Sequence, residues 1–280
     1  MPVYKISCSE VAALTGRHPY VPRPLAIQKW LAKHRLAKPS PQQAVDQLLS
    51  AMNAQLVLDK TDGTEPAIRT ALETLAQEYK LDAEATALVV AQVPFLARMT
   101  TGRKAEADIT EKEQYQECNT KWVRYPIRED LALTGRLDAR AADGTWIEIK
   151  RRMGMLAATP PSYDLIQVQA YMHALSLPKM ILQERDAKGV DRKTVVVRDD
   201  KAWNEIETEL VRATRLALRL ADDPFRCRAF IEHVDKERWL AAERVLDSCL
   251  PKMAGPTDAG DAIDLAIEQE LKKETEQRPK

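Results

Sequence analysis

The stretch LALTGRLDARAADGTWIEIKRR, residues 131–152, constrains this chain more than any other. It predicts a β-hairpin. LALTGRLDAR reads as one strand, and Trp146 to Arg151 as the returning strand. Asp143-Gly144 reads as the two-residue turn between them, because both residue types tolerate positive φ. Side chains of a strand alternate between its faces, so Trp146, Glu148 and Lys150 share one face and Ile147 and Ile149 the other. Burying Glu148 and Lys150 is costly unless a site pairs or uses them. Asp138 lies ten residues before Glu148, where the partner strand brings it alongside.

The chain of 280 residues can bury a sizeable core, as one domain or as one domain with a helical insertion. Its 42 Lys and Arg balance 42 Asp and Glu. That excludes a protein coated in basic surface and still allows a local basic groove, because field focusing depends on where charges sit. No apolar run approaches the ~20 residues of a membrane span, and MPVYKISCSE does not read as a signal peptide. Cys8, Cys118, Cys227 and Cys249 stand far apart with no CxxC, which argues against disulfides and a zinc site and suits a reducing compartment. The expectation is a soluble, intracellular protein.

Residues 6–16 read as a short opening strand followed by a helix, with Ser9 as N-cap and Gly16 as C-terminal stop. Free N–H groups at such a helix start suit a phosphate; a plain cap is the simpler reading. Residues 17–20 form a turn. Leu25 to Arg35 is an amphipathic helix, and Lys29, Lys33, His34, Arg35 and Lys38 make this the most basic local stretch, as a solvated face would also be. Residues 39–92 divide into three Ala/Leu/Glu/Gln-rich helices, Gln42 to Asp59, Glu65 to Tyr79 and Ala83 to Gln92, read as a helical insertion. Pro94 to Gln116 reads as another helix, bent near Thr101-Gly102, and carries Glu106. Lys121 to Ile127 is a strand leading into the hairpin. Asp164 to Leu175 is a helix capped by Asp164, with Gln167 and Tyr171 together beside a buried stripe of Leu165, Val168, Met172 and Leu175. Lys179 to Arg185 and Lys193 to Arg198 form an outer strand pair. Ala202 to Ala221 and Phe225 to Leu250 are helical, and residues 251–280 read as a flexible tail.

Asp138, Glu148 and Lys150 stand in the pattern Asp-x9-Glu-x-Lys, which resembles the signature of the PD-(D/E)xK nuclease superfamily. An ordinary Glu/Lys pair on a surface strand gives the same spacing. The residue types suit phosphodiester hydrolysis. Two carboxylates hold a hard divalent cation through oxygen, and that cation lowers the pKa of a bound water. The lysine orients or deprotonates the water and stabilises developing charge. Further motifs narrow the resemblance. Ile6-Ser7-Cys8-Ser9-Glu10-Val11, Gly102-Arg103-Lys104-Ala105-Glu106-Ala107-Asp108 and Tyr163 through Tyr171 occur with the hairpin in the order of the YqaJ-type viral recombinases, the phage lambda exonuclease-like family.

The resemblance implies a restriction-endonuclease-like α/β fold, a mixed central sheet flanked by helices and carrying a helical insertion. It implies a DNA-end-binding segment at residues 1–38, the insertion at 39–92, the nuclease core with C-terminal helices at 93–250 and the tail beyond. Glu106, Asp138, Glu148 and the Ile149 carbonyl would hold Mg²⁺, or Mn²⁺ in its place. Lys150 would be the catalytic lysine. Gln167 would hold the site from its helix, with Tyr171 in support and among the DNA contacts. Ser9 would meet a terminal phosphate. The arginine that the family places before that serine is missing, since Pro2 and Lys5 stand there, so Lys5 or Arg17 takes its part. Arg136, two residues before Asp138, would add a phosphate contact. The implied activity is a 5′→3′ exonuclease that degrades one strand of double-stranded DNA from its ends, in viral or mobile-element recombination or replication. The implied partners are DNA ends, a single-strand annealing protein and, in a ring-shaped trimer, further copies of the chain, with no membrane. An end-independent endonuclease and a catalytically silent DNA-end-binding module are the rival readings. An iron–sulfur nuclease would need three clustered C-terminal cysteines, which Cys227 and Cys249 do not supply.

Overall fold

The computed structural model describes residues 3–37, 41–116 and 121–249, so the expected tail and Cys118 lie outside the described residues. Strand β1 (Tyr4–Ser7) leads through a 3₁₀ turn into α1 (Val11–Leu14), and α2 is Arg23–Lys33. Helices α3 (Pro41–Ala51), α4 (Ala54–Leu58), α5 (Glu65–Glu78), α6 (Ala83–Val90) and α7 (Val93–Lys112) follow. Strands β2 (Trp122–Arg128), β3 (Leu131–Arg136), β4 (Ala139–Arg140) and β5 (Trp146–Arg151) come next, then α8 (Ser162–Ala174), β6 (Lys179–Arg185) and β7 (Asp191–Val197). The described chain closes with α9 (Asp200–Asp222), α10 (Pro224–Asp235) and α11 (Trp239–Asp247). Side chains start several helices as the sequence pattern expects: Thr64 and Asp82 accept the N–H groups of Ala67 and Ala85, and Asp199 that of Ala202.

The fold is mixed α/β, with its strands in two hydrogen-bonded sheets. In one, β3 lies between β1, which is parallel to it, and β2, which is antiparallel. In the other the order is β4-β5-β6-β7; β5 is antiparallel to β4 and parallel to β6, and β6 and β7 form an antiparallel hairpin. The division comes from a break in the first strand of the expected hairpin. The register of β4 on β5 sets Ala139 against Ile147, so an unbroken strand would place Leu137 against Ile149. Instead Asp138 Oδ2 takes the Ile149 N–H at 2.8 Å, and the Leu137 N–H goes to the Lys121 carbonyl at 3.1 Å. The chain therefore turns from one sheet into the other at Leu137-Asp138.

The main core gathers Ile6, Trp30, Leu133, Val168, Trp203 and Phe230 from the sheets and from α2, α8, α9 and α10. A second core lies among helices α3 to α7, the stretch read as an insertion, and runs from Val45 through Leu58, Ile68, Leu72 and Val89 to Val93, Leu96 and Ala97. A small third one joins Ile109 of α7 to Ala139, Ile147 and Ile149. Helix α7 thus belongs to two cores at once. It runs unbroken through Thr101-Gly102, where a bend was expected.

Several local expectations are corrected. Gln42 to Asp59 is two helices, because Asn53 adopts a left-handed φ of 51° between α3 and α4. Phe225 to Leu250 likewise divides into α10 and α11. Ser9 is not the cap: Ser7 caps the 3₁₀ turn that precedes α1, with the Glu10 carboxylate reaching back to the Ser7 N–H at 2.7 Å as in a capping box, and Glu10 itself stands at the N-cap of α1. Gly16 does end α1, at φ 71°. Pro161 occupies the N-cap of α8, and Asp164, read as the cap, lies inside the first turn and points inward.

Candidate active site

Both faces of β5 are covered, and Glu148 is only 2% exposed. Its partners come from its own strand and from α8. Lys150, two residues on and on the same face, sets Nζ 2.7 Å from Glu148 Oε1 and 3.0 Å from Gln167 Oε1. Gln167 Nε2 in turn donates to Glu148 Oε1 at 2.7 Å, closing a three-sided set of hydrogen bonds. The other Glu148 oxygen, Oε2, is buried without a hydrogen-bond partner among the described residues. A buried acceptor left open is costly and suits a ligand that accepts electron pairs.

Burial pushes the Glu148 carboxyl up to about 8; Lys150 pulls it down and Asp138 pushes it further up. Asp138 is raised to about 6, again by burial first, with Lys150 opposing and Glu106 adding to the rise. Glu106 is raised by burial and by Glu148, against Lys150 and two arginines. These mutual effects place the three carboxylates in one electrostatic neighbourhood although they come from α7, the β3–β4 break and β5. Burial opposes the Lys150 charge, but Glu148, Asp164 and Asp138 outweigh it and hold the ammonium charged.

Glu106, Asp138, Ile149 and Lys150 line one open cleft of about 870 Å³, together with Arg103, Arg136 and Arg151. Among the described residues no three His, Cys, Asp or Glu side chains form a ready-made metal cluster. The donor chemistry nonetheless fits a hard divalent cation. Glu106 and Asp138 are carboxylates whose charged forms burial disfavours, with Lys150 the chief opposing charge, and Glu148 Oε2 is a buried acceptor without a hydrogen-bond partner among the described residues.

Six residues beside this set were not assigned to it from the sequence. Asp164 is 3% exposed, 3.9 Å from Lys150 Nζ and 2.7 Å from Arg152. Arg152 also meets the buried Glu184 at 2.6 Å, and Arg192 binds Glu184 from β7. This network anchors the chain that leaves β5. Tyr171 donates its hydroxyl to the Arg136 carbonyl at 3.0 Å and lies over Gly135, where a Cβ would sit 2.6 Å from the tyrosine ring. Cys8 is buried near Glu148, and burial and that carboxylate push its thiol up to about 12, so it stays neutral. The signals were present but ambiguous: Asp164 looked like a cap, Arg152 like any strand-end cation, and Gly135 like a strand glycine.

The residues expected to meet DNA are less gathered. Ser9 is exposed and shares a hydrogen bond with Ser7 between their hydroxyls at 2.8 Å. Lys5 is exposed on β1, and its carbonyl accepts from the Trp30 indole. The Arg17 guanidinium is held by Glu209 of α9 at 3.0 and 3.1 Å. Arg136 lines the cleft, with its guanidinium 5.8 Å from the centre of the exposed Trp122 ring.

No family model matches the chain, and no curated protein sequence matches it. Among solved structures it is similar to an alkaline exonuclease from Laribacter hongkongensis, at 13% identity and a TM-score of 0.47, over 82% of this chain and 95% of that one. A structure of the same enzyme with dAMP matches at 13% identity and a TM-score of 0.44, over 79% and 91%. A backbone likeness brings none of that enzyme's chemistry to this chain, because function resides in sites and not in folds.

Proposed function

We propose that this protein is a metal-dependent nuclease that hydrolyses DNA phosphodiesters, acting 5′→3′ from duplex ends. The observation that carries the reading is the buried Glu148–Lys150–Gln167 set with its open carboxylate oxygen, beside Asp138 in an open cleft. An ion pair of this burial is a poor device for stability and a good one for holding charge in place. A Mg²⁺ held by Glu106, Asp138 and Glu148 would neutralise the scissile phosphate and acidify a bound water. Lys150, kept charged by three carboxylates, suits the orienting of that water and the stabilising of negative charge on phosphate oxygens, and not proton abstraction. Gln167 fixes both partners and so sets the geometry.

The preference for ends rests on the opening segment. The 3₁₀ turn that carries the exposed Ser9 packs against α8, the helix of Gln167, and this supports a role for Ser9 in meeting a terminal phosphate. Polarity, the recombination role, an annealing partner and a trimer follow from the sequence resemblance and belong to this proposal. The test is a time course with Mg²⁺ on one plasmid, covalently closed and linearised with labelled 5′ ends. Linear DNA should disappear progressively from its 5′ ends while closed circles survive. Equal cutting of both would establish an endonuclease, and no cutting of either would overturn the nuclease reading.

A further inference from the structure

Two adjacent arginines leave β5 in opposite directions, and their surroundings differ. Arg152 shares the face of Glu148 and Lys150 and is neutralised by Asp164 and Glu184. Arg151 shares the face of Ile149 and lines the cleft, and among the described residues no carboxylate pairs with it. Its Nε is buried without a hydrogen-bond partner. Its cross-strand neighbour on β6 is Arg185, a like charge, which is itself committed to Asp191 at 2.7 and 2.8 Å. Like charges opposite each other in a sheet destabilise it, and a buried donor left unpaired adds to the cost. Other cations around the cleft are satisfied: Lys150 by Glu148, Arg103 by Asp59 and Lys193 by Glu113.

Arg136 is the second cleft arginine with no carboxylate partner among the described residues. It closes β3 as Arg151 closes β5. Both therefore stand where their strands run out, on either side of the Asp138–Ile149 hydrogen bond. We propose that Arg151, together with Arg136, forms a phosphate subsite that grips a phosphodiester neighbouring the one hydrolysed. Arg151 lies two residues along β5 from Ile149, a step of about 6.6 Å, which separates this subsite from the carboxylates. A guanidinium suits the task because its planar fork binds two phosphate oxygens at once. The proposal rests on the nuclease reading and assigns a residue that the motifs do not include.

The test measures binding apart from cutting. Fluorescence anisotropy of an end-labelled duplex is followed with Ca²⁺ at several salt concentrations, for the unaltered protein, Arg151→Ala, Arg151→Lys and Arg151→Gln, beside thermal melts. One phosphate contact contributes about one unit to the slope of log affinity against log salt. Arg151→Ala should therefore lower the slope by about one and weaken binding alike on every sequence, with its melting temperature unchanged or raised. Arg151→Lys should keep the slope but not the full affinity. If Arg151→Ala melts early, Arg151→Gln, which keeps much of the side chain, carries the same expectation. Unaltered slope and affinity in the neutral variants of a protein that binds and cuts DNA would overturn the subsite alone. A protein that neither binds nor cuts DNA would overturn the subsite and the nuclease reading together.

Discussion

At the scale of the residue, the proposed mechanism divides the work between Lys150 and Glu148. Lys150 carries a fixed positive charge, and Glu148 offers one oxygen to it and to Gln167 and keeps the other open. Glu148→Gln and Lys150→Ala should each lower the cleavage rate ~10²–10³-fold, the usual loss for one preorganised electrostatic group. Single-turnover rates on linear duplex decide it, and near-normal rates in either variant would remove these residues from the site. The raised carboxyls also have a thermodynamic sign. Asp138 at about 6 and Glu148 at about 8 hold protons that the unfolded chain has already released, from its ordinary values of 3.8 and 4.5. The folded state without metal therefore loses stability as pH rises through that window. A divalent cation competes with those same protons, so the rise in melting temperature with Mg²⁺ should grow from pH 5.5 to pH 8.5. A rise that is equal at both ends, or larger in acid, would show that these carboxylates do not hold the metal. That Asp138, Glu148 and Lys150 come together was legible from their spacing in the hairpin, whereas the place of Glu106 beside them came only from the resemblance. Asp164 was not, since an aspartate in the first turn of a helix looks the same whether it caps the helix or faces inward.

At the scale of the element, the hairpin shows what periodicity conveys and what it hides. The alternation of β5 follows from period two, but the turn departs from the Asp143-Gly144 reading: Ala141 pairs with Thr145 across Ala142-Asp143-Gly144, of which only Gly144 takes a positive φ, and the added residue is what sets Asp138 in register with Glu148. The break at Leu137-Asp138 does not follow from period two, because the apolar alternation continues through it and it shows only in the fold, where the Asp138 side chain takes the Ile149 N–H and the Leu137 N–H turns to Lys121. The same limit explains Ser7 and Ser9: two serines two residues apart offer the same cap, and Glu10, three residues after Ser7, selects between them. Gly135 marks another such place. In sequence it is a strand glycine; in the fold it is the surface on which Tyr171 of α8 lies. Gly135→Ala should destabilise by about 1–3 kcal/mol through overpacking. Combining it with Tyr171→Leu should recover part of the loss, as a double-mutant cycle by denaturant melts will show. Additive losses would mean that the contact is not the cause.

At the scale of the whole molecule, the helical insertion was legible as helices, from composition and periodicity, but its lower edge was not. Its core continues past Gln92 to Val93, Leu96 and Ala97, which are the first turns of α7. The same helix carries Glu106 to the cleft and Ile109 to the small core behind β5. The two cores should therefore melt together. Leu72→Ala, which empties a fully buried position in the insertion, should cost about 2–5 kcal/mol and lower one common transition in calorimetry. A separate early transition, with the remainder unmoved, would show that α7 does not couple them.

The shared helix also limits how this protein can be rebuilt. A segment whose two ends fell in loops could be excised or exchanged like a cassette, leaving its host intact. Here the downstream seam runs through the middle of a 20-residue helix. Removing residues 39–92 would strip the cover from one end of the rod that presents Glu106. A replacement would have to supply a matching apolar seat for Val93, Leu96 and Ala97, so variation in the insertion is tied to the chemistry of the cleft.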